Sequence, residues 1–199
     1  MSFINDKTKE INCKIIYYGP PWCGKSTTLT HIYDRVQRGS KKEGVSLSRG
    51  DDRTLFFDFV PLHLGKVRGY TIRMHLYTFP GDAGYRQSRA LISKGVDGVV
   101  FVADSRLQMM EANLQSLAGL REILQSEGHE WGKIPLVYQY NKRDLPGAVP
   151  KEEIGPYLNK EGAKEFETVA TTGEGVFEAF REICAEVLRS LKSQAVEED

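Results

Sequence analysis

The chain has 199 residues, of which 40% are hydrophobic and 27% are charged. This length and composition predict a single domain over 1–199 that buries its own core and ends in a short polar tail at about 193–199. Lysine plus arginine match aspartate plus glutamate at 27 each, so no net field favours nucleic acid or an anionic membrane. The net charge therefore indicates no partner, and nucleic acid is not expected as one.

The first predicted elements are a strand at Asn12–Tyr18 and a helix from about Lys25 to Val36, joined by a glycine-containing turn. The turn and the start of the helix match the pattern GxxxxGK(S/T), which cradles phosphates in nucleotide-binding proteins. Glycines let the backbone approach the phosphates, and backbone amides with the helix N-terminus attract their negative charge. The candidate nucleotide-binding residues in this segment are Gly19, Trp22, Cys23, Gly24, Lys25, Ser26 and Thr27.

Two of these residues have specific expected roles. Lys25 would place a point charge on the β and γ phosphates and is a candidate catalytic residue, and the Ser26 hydroxyl is a candidate Mg²⁺ ligand. The alternative is a glycine-containing turn that precedes Lys-Ser by chance. The pattern follows a predicted strand and opens a predicted helix, and this context favours the nucleotide-binding interpretation.

The segment Arg38–Asp52 is polar and lacks periodicity, which predicts a loop. Two strands follow, Thr54–Leu64 and Tyr70–Phe79, and the short link between them predicts an antiparallel hairpin at an edge of the sheet. Further strands are predicted at Asp97–Asp104, Lys133–Tyr140 and Phe166–Ala170, and further helices at Met110–Ser126 and Val176–Leu191. This order of elements predicts an α/β fold with a mostly parallel sheet and helices on both faces.

The tetrapeptide Asn141-Lys142-Arg143-Asp144, directly after a predicted strand, fits the pattern NKxD and indicates guanine as the base. An ionised Asp144 can accept hydrogen bonds from guanine N1–H and the 2-amino group, neither of which adenine offers. Lys142 can lie along the base, and Asn141 can tie this loop to the phosphate loop. The alternative is a solvated turn, because Asn, Lys and Asp are common after strands. The expected third contact with the base comes from Ala170 and Thr171.

The cysteines and the chain ends predict a cytoplasmic protein without a membrane anchor. Cys13, Cys23 and Cys184 are scattered and form no CxxC pair, which is typical of reduced thiols. The first residues contain no basic region followed by an apolar run, and the last residues contain no cysteine for prenylation. No apolar run approaches the roughly 18 residues that a membrane-spanning helix needs.

Several stretches resemble the bacterial MglA family of small GTPases, which act in gliding motility and cell polarity: INCKIIYYGP, DDRTLFFDFVPL, HLYTFPG, KGVDGVVFVADS and QYNKRDLP. The resemblance extends from Met1 to about Leu191. It implies a Ras-like P-loop fold that binds GTP or GDP with Mg²⁺ and hydrolyses GTP. It also implies placement at a cell pole, polarity and motility effectors as partners, and a roadblock-type GTPase-activating partner similar to MglB.

The resemblance assigns roles near the γ phosphate to four residues. Thr54 corresponds to the switch I threonine that reaches both Mg²⁺ and the γ phosphate. Arg53 corresponds to an arginine finger supplied within the same chain, and its alternative role is that of a solvated loop cation. Gly81 can offer its amide to the γ phosphate. Asp82 stands at the position of the family's catalytic glutamine.

Asp82 is the departure from the family with the largest expected consequence. Aspartate is shorter than glutamine, has no N–H to offer when ionised, and brings negative charge toward the phosphates. Pro21 and Trp22 also replace the family's Gly-Leu in the phosphate loop. Three functions therefore stay open: a GTPase switch with slow hydrolysis, a GTP-binding interaction module that scarcely hydrolyses, and a P-loop ATPase or nucleotide kinase.

Overall fold

The computed structural model describes residues 3–5, 7–39, 59–67, 69–78 and 93–197. Within these ranges the chain forms seven strands, four α-helices and one short 3₁₀ helix at Leu107–Met109. In chain order the elements are β1 (Phe3–Asn5), β2 (Glu10–Tyr18), α1 (Lys25–Gly39), β3 (Phe59–Val67), β4 (Tyr70–Thr78), β5 (Gly98–Asp104), α2 (Met110–Ser126), β6 (Leu136–Asn141), α3 (Lys151–Leu158), β7 (Lys164–Thr168) and α4 (Val176–Glu197).

The strands form one sheet in the order β3-β4-β2-β5-β6-β7. Neighbours from β4 to β7 along this order are parallel, which confirms the predicted mostly parallel α/β sheet. At one edge β3 pairs antiparallel with β4, with Phe59 opposite Tyr77 and Val67 opposite Tyr70. The short strand β1 pairs antiparallel with the start of β2, before β2 meets β5 at Ile15. The sequence pattern did not predict β1.

Helices cover both faces of the sheet, as predicted, because successive side chains of a strand point to opposite faces. Ile15 of β2 lies in a core with Leu29 of α1 and Ile183 of α4. Its neighbour Ile16 lies in the second core with Leu120 of α2, on the opposite face. All seven residues of β5 are buried, which fits a central strand covered on both sides. Each large apolar side chain buried in this way stabilises the fold by roughly 1.5–3 kcal/mol.

The structure corrects several predicted boundaries. Helix α4 continues to Glu197 instead of ending at Leu191, so it runs into the segment predicted to be a polar tail. Helix α3 was not predicted, because Pro156 lies inside it and proline normally ends a helical pattern. Two strands also shift: β6 includes Asn141, and β7 ends at Thr168 before the predicted base contacts.

Among the described helices, none is both long and apolar enough to cross a membrane.

Candidate functional site

The candidate site lies at the carboxyl-terminal ends of four parallel strands of the sheet. Strands β2, β5, β6 and β7 are parallel neighbours, so the loops that follow them meet at their carboxyl ends. Doubly wound sheets bind their ligands at this edge. The fold thereby brings the predicted phosphate loop, after β2, next to the predicted base-binding tetrapeptide, which begins at the last residue of β6.

Two glycines of the phosphate loop are required by close backbone approach. A Cβ atom on Gly19 would lie 2.0 Å from the Val102 carbonyl oxygen of β5. A Cβ atom on Gly24, which has a φ of +108°, would lie 2.1 Å from Nδ2 of Asn141. Any other residue would push the loop away from its neighbours, so the glycines of the motif allow the loop to lie against β5 and β6.

Lys25 is buried in the phosphate loop with neutral partners. Lys25 is 7% exposed, and its Nζ donates to the carbonyl oxygens of Gly19 at 3.0 Å and Pro20 at 2.7 Å and to the sulfur of Cys23 at 3.6 Å. No ion pair within the described ranges involves this ammonium group. A buried charge is normally paired with an opposite charge, and all the printed partners of this ammonium group are neutral. The arrangement therefore fits an anionic ligand such as phosphate.

The start of α1 also suits an anion. The first four N–H groups of a helix have no acceptor inside the helix and carry a partial positive charge. The first turn of α1 contains no acidic residue that would repel phosphate. Ser26 and Thr27 are exposed there, so both hydroxyls are accessible to a ligand. Of the predicted Mg²⁺ ligands, Ser26 is placed at this helix start, and Thr54 lies outside the described residues.

Asn141 joins three loops of the site through its side-chain amide. Its Nδ2 donates to the Cys23 carbonyl oxygen at 2.7 Å, which is the predicted tie to the phosphate loop. Its Oδ1 accepts from the Ala170 amide at 2.9 Å and from the Thr168 hydroxyl at 3.1 Å. Asn141 is buried, so each of these bonds is shielded from competing water. One side chain thus fixes the phosphate loop, the end of β6 and the loop after β7.

Lys142 is held by a buried carboxylate that lies outside the predicted site residues. Asp104, at the end of β5, has no exposed surface, and its Oδ2 lies 2.7 Å from Nζ of Lys142. Arg106 forms a bidentate contact with the same carboxylate, from Nε to Oδ1 at 3.0 Å and from Nη2 to Oδ2 at 2.7 Å. The register of the parallel strands places Asp104 beside Asn141, next to Lys142. This pairing of Asp104 with Asn141 is the signal that could have identified Asp104 as a residue of the site.

Burial alone raises the pKa of the Asp104 carboxyl, but hydrogen bonds from Arg106 and Lys142 lower the pKa more. The net pKa therefore lies below its ordinary value, and Asp104 is an anion at neutral pH. The positive φ of Lys142, +67°, turns the backbone at this point. The carboxylate fixes the direction of the Lys142 side chain.

Beside Asn141 and Lys142, the loops of the site enclose a pocket of about 250 Å³. Asp144 is exposed at this pocket and, in the part of the chain that the structure describes, forms no ion pair. Its carboxylate oxygens are therefore available to accept hydrogen bonds from a ligand. Leu145 also lines the pocket and was not predicted. The lining residues are Trp22, Gly24, Thr27, Asn141, Lys142, Asp144, Leu145, Ala170 and Thr171.

The predicted residues around the γ phosphate lie outside the described residues. This applies to Arg53, Thr54, Gly81 and Asp82, whose roles stay predictions. The described residues contain no cluster of three or more His, Cys, Asp or Glu side chains that could hold a metal ion. Cys13, Cys23 and Cys184 are all free and buried.

Comparison with known proteins connects this site to small GTPases. A family model described as the ADP-ribosylation factor family matches residues 60–187. The chain is 54% identical over 192 residues to the mutual gliding-motility protein MglA of Myxococcus xanthus, covering 96% of this chain and 98% of that protein. It is 27% identical over 132 residues to ADP-ribosylation factor-like protein 6 of Caenorhabditis elegans, covering 62% and 66%. It is 26% identical over 188 residues to the Ras-related protein RABA2a of Arabidopsis thaliana, covering 94% and 79%.

Proposed function

Since this chain belongs to the ADP-ribosylation factor family of small GTPases and, within it, to the group of MglA, we propose that it is a GTP-dependent switch. In this proposal it binds GTP and GDP with Mg²⁺ and hydrolyses GTP slowly. Its nucleotide state selects partners that act in gliding motility or cell polarity. The partners include effectors and a roadblock-type GTPase-activating protein similar to MglB. The switch itself is cytoplasmic in this proposal and is recruited to a cell pole.

The observation that carries the proposal is the hydrogen bond from Asn141 to the Cys23 carbonyl oxygen. It couples the loop suited to phosphates to the loop suited to guanine, at the edge where parallel sheets bind nucleotides. A ligand with phosphates at one end and a purine at the other fits such a pair of loops. Guanine suits the exposed carboxylate of Asp144, which offers only acceptors to the donors at N1 and the 2-amino group.

Each part of the site has a task in this mechanism. Lys25 neutralises charge on the β and γ phosphates, and the amides at the start of α1 bind phosphate oxygens. Ser26 and Thr54 would hold Mg²⁺, which supplies further positive charge to the phosphates. Thr54 and Gly81 would contact the γ phosphate only when GTP is bound. Partners then distinguish the two states by the segments around these residues, because only contacts that differ between states bias binding.

Replacing Asp144 with asparagine tests the proposed base recognition. The introduced amide would present one acceptor and one donor, which matches the N1–H and the 2-oxo group of xanthine instead of the two donors of guanine. We expect Asp144→Asn to weaken GDP binding roughly hundredfold or more. Xanthosine diphosphate should then bind the variant more tightly than GDP. Calorimetric titration with Mg²⁺ present measures both affinities.

The control is Glu153→Gln, which removes the same charge from an exposed position on α3. This control should bind GDP as the unaltered protein does. Unchanged GDP affinity in Asp144→Asn would contradict the assigned base contact. Preference of the unaltered protein for ATP over GTP would instead favour the ATPase or nucleotide kinase interpretation.

A second function, a GTP-binding interaction module with little or no hydrolysis, is favoured by one residue. Asp82 stands where the family has the glutamine that orients the attacking water. An ionised aspartate there would repel the phosphates and could not donate a hydrogen bond to the transition state. The two functions share the nucleotide site and differ in the fate of the γ phosphate.

Restoring glutamine distinguishes the switch from the module. We expect Asp82→Gln to raise the single-turnover rate of GTP hydrolysis by about tenfold or more, because a water-positioning group is restored and a negative charge is removed. The measurement uses γ-labelled GTP bound to the purified protein. Asp82→Asn serves as control, since it removes the charge without restoring the length. A hydrolysis rate in the unaltered protein that Asp82→Gln does not increase would show that Asp82 does not impair hydrolysis.

A further inference from the structure

We propose that the indole of Trp22 is a wall of the nucleotide pocket that packs against the bound nucleoside and slows the release of both GDP and GTP. This inference rests on the proposed guanine-nucleotide site and assigns to it a residue that sets how long the nucleotide stays bound. The geometry that points to it is the position of Trp22 on the rim of the pocket lined by Asp144 and Lys142.

Trp22 has an unfavourable backbone conformation. Its φ is +61°, in the left-handed region where bulky side chains are rare. The Cys23 amide donates to the Pro20 carbonyl oxygen at 3.4 Å, which closes a turn with Pro21 and Trp22 at its centre. Proline is favoured at the first central position of such a turn and glycine at the second. The turn thus holds an aromatic side chain where glycine would be less strained.

The side chain is also unfavourably exposed. Trp22 is 90% exposed, more than any other large hydrophobic side chain in the part of the chain that the structure describes. The second tryptophan provides a contrast: Trp131 donates a hydrogen bond from Nε1 to Glu161 and lies under the Arg121 guanidinium, 4.7 Å from the ring centroid. Within the described residues, side-chain contacts therefore hold the Trp131 ring, whereas the Trp22 ring stays largely exposed.

A ligand bound in the pocket would cover the indole. The residues that share it with Trp22 include Asp144, suited to the base edge, and Thr27, at the start of the phosphate-binding helix. A nucleoside held between these groups lies beside the indole and offers it a planar, partly apolar surface. Stacking of a base on an aromatic side chain changes affinity roughly five- to hundredfold. Because the nucleoside is common to GDP and GTP, the indole should slow the release of both equally.

Quenching of tryptophan fluorescence by acrylamide tests whether nucleotide covers Trp22. In the full-length protein, an excess of Mg²⁺ and GDP should reduce the quenching by half or more. In Trp22→Phe, only Trp131 remains, and its quenching should be the same with and without GDP. Quenching that GDP leaves unchanged in the unaltered protein would overturn the proposal, since the indole would then face solvent or another protein.

Release rates test the consequence. Radiolabelled GDP and GTP, displaced by excess unlabelled nucleotide, should leave Trp22→Leu and Trp22→Gly about tenfold faster than the unaltered protein, by the same factor for both nucleotides. Trp22→Phe, which keeps an aromatic ring, should stay within about threefold of the original rate. Trp22→Gly also relieves the strained φ, so the melting temperature of its nucleotide-free form should be unchanged or higher.

The outcomes separate this inference from the proposed function. Equal release rates in all variants, with GDP still binding tightly, would overturn the role of Trp22 and leave the GTP-binding function intact. Absence of any guanine-nucleotide binding by the unaltered protein would overturn both.

Discussion

At the scale of single residues, Asp104 shows how a carboxylate outside the recognised motifs shapes the site. It accepts hydrogen bonds from the side chain and backbone of Arg106 and contacts Lys142, all from a fully buried position. A buried charge is tolerated only when it is paired in this way. Asp104 does not touch the pocket and acts by fixing the direction of Lys142.

The lowered pKa of Asp104 gives this contact a pH dependence. A carboxyl whose pKa is lower in the folded protein than in the unfolded chain stabilises the fold above the unfolded value, near 4. That stabilisation is lost as pH falls below about 4 through the folded pKa. We expect Asp104→Asn to lower the free energy of unfolding by about 1–3 kcal/mol at pH 7 and to flatten its decline below pH 4. Urea unfolding at a series of pH values measures both effects.

The matched control for this prediction is Glu130→Gln, which breaks the exposed contact between Glu130 and Lys133. Exposed ion pairs contribute little, so the control should unfold as the unaltered protein does. If Asp104→Asn also weakens GDP binding, Lys142 depends on the carboxylate for its position. A variant with unaltered stability and pH dependence would show that the buried pair contributes nothing.

At the scale of elements, the sequence predicted the structures that local pattern determines. The strand, turn and helix around the phosphate loop, and helix α2 with its bounds at Met110–Ser126, follow from periodicity and motif position. The order of these elements also predicted the mostly parallel sheet, because consecutive strands joined by helices run parallel. Local pattern was therefore sufficient for the elements that carry the two nucleotide-binding motifs.

Helix α3 and strand β1 could not be predicted in this way. Pro156 contradicts a helical pattern, yet Ile154 and Leu158 lie one turn apart on α3 and are both fully buried in the core beneath it. Packing against the sheet outweighs the missing backbone hydrogen bond. Strand β1 has only three residues and owes its structure to pairing with β2. Both elements exist because of tertiary contacts that the local sequence does not reveal.

The residues of the candidate site fall into the same two groups, those that local sequence predicts and those that tertiary contacts bring into place. Gly24, Lys25, Asn141 and Asp144 were predicted, because their chemistry requires particular residue types at fixed spacing. Asp104 was missed, because its role comes from the register between β5 and β6, which brings distant parts of the chain side by side. The uncovered state of the Trp22 ring was likewise a property of the fold and not of the motif.

At the scale of the whole molecule, side-chain hydrogen bonds in the site connect loops that follow different strands of the sheet. Asn141 links the loops after β2, β6 and β7, and Gln139 of β6 donates to the Thr28 hydroxyl of α1 at 2.9 Å. A nucleotide bound across these loops would add contacts between the same elements. Anything that binds only the folded state stabilises it by mass action. Nucleotide binding should therefore stabilise the entire domain.

This coupling gives a prediction that one glycine substitution can test. With Mg²⁺ and GDP at about a hundredfold excess over the dissociation constant, we expect the melting temperature to rise by about 5–10 °C, and chelation of Mg²⁺ should reverse part of the rise. Gly24→Ala should melt lower and lose most of this shift, because its Cβ would lie 2.1 Å from Nδ2 of Asn141 and force the phosphate loop away.

The matched control is Gly128→Ala, at the end of α2, where φ is also positive, at +83°, but no atom lies within 4 Å of the added Cβ. Backbone strain alone should lower its melting temperature by a few degrees, while the shift caused by GDP stays complete. If GDP no longer raises the melting temperature of Gly24→Ala but still raises that of Gly128→Ala, the effect comes from the loop contact and not from backbone strain. A full GDP shift in Gly24→Ala would mean that the tie between Asn141 and the phosphate loop is not needed to hold the nucleotide.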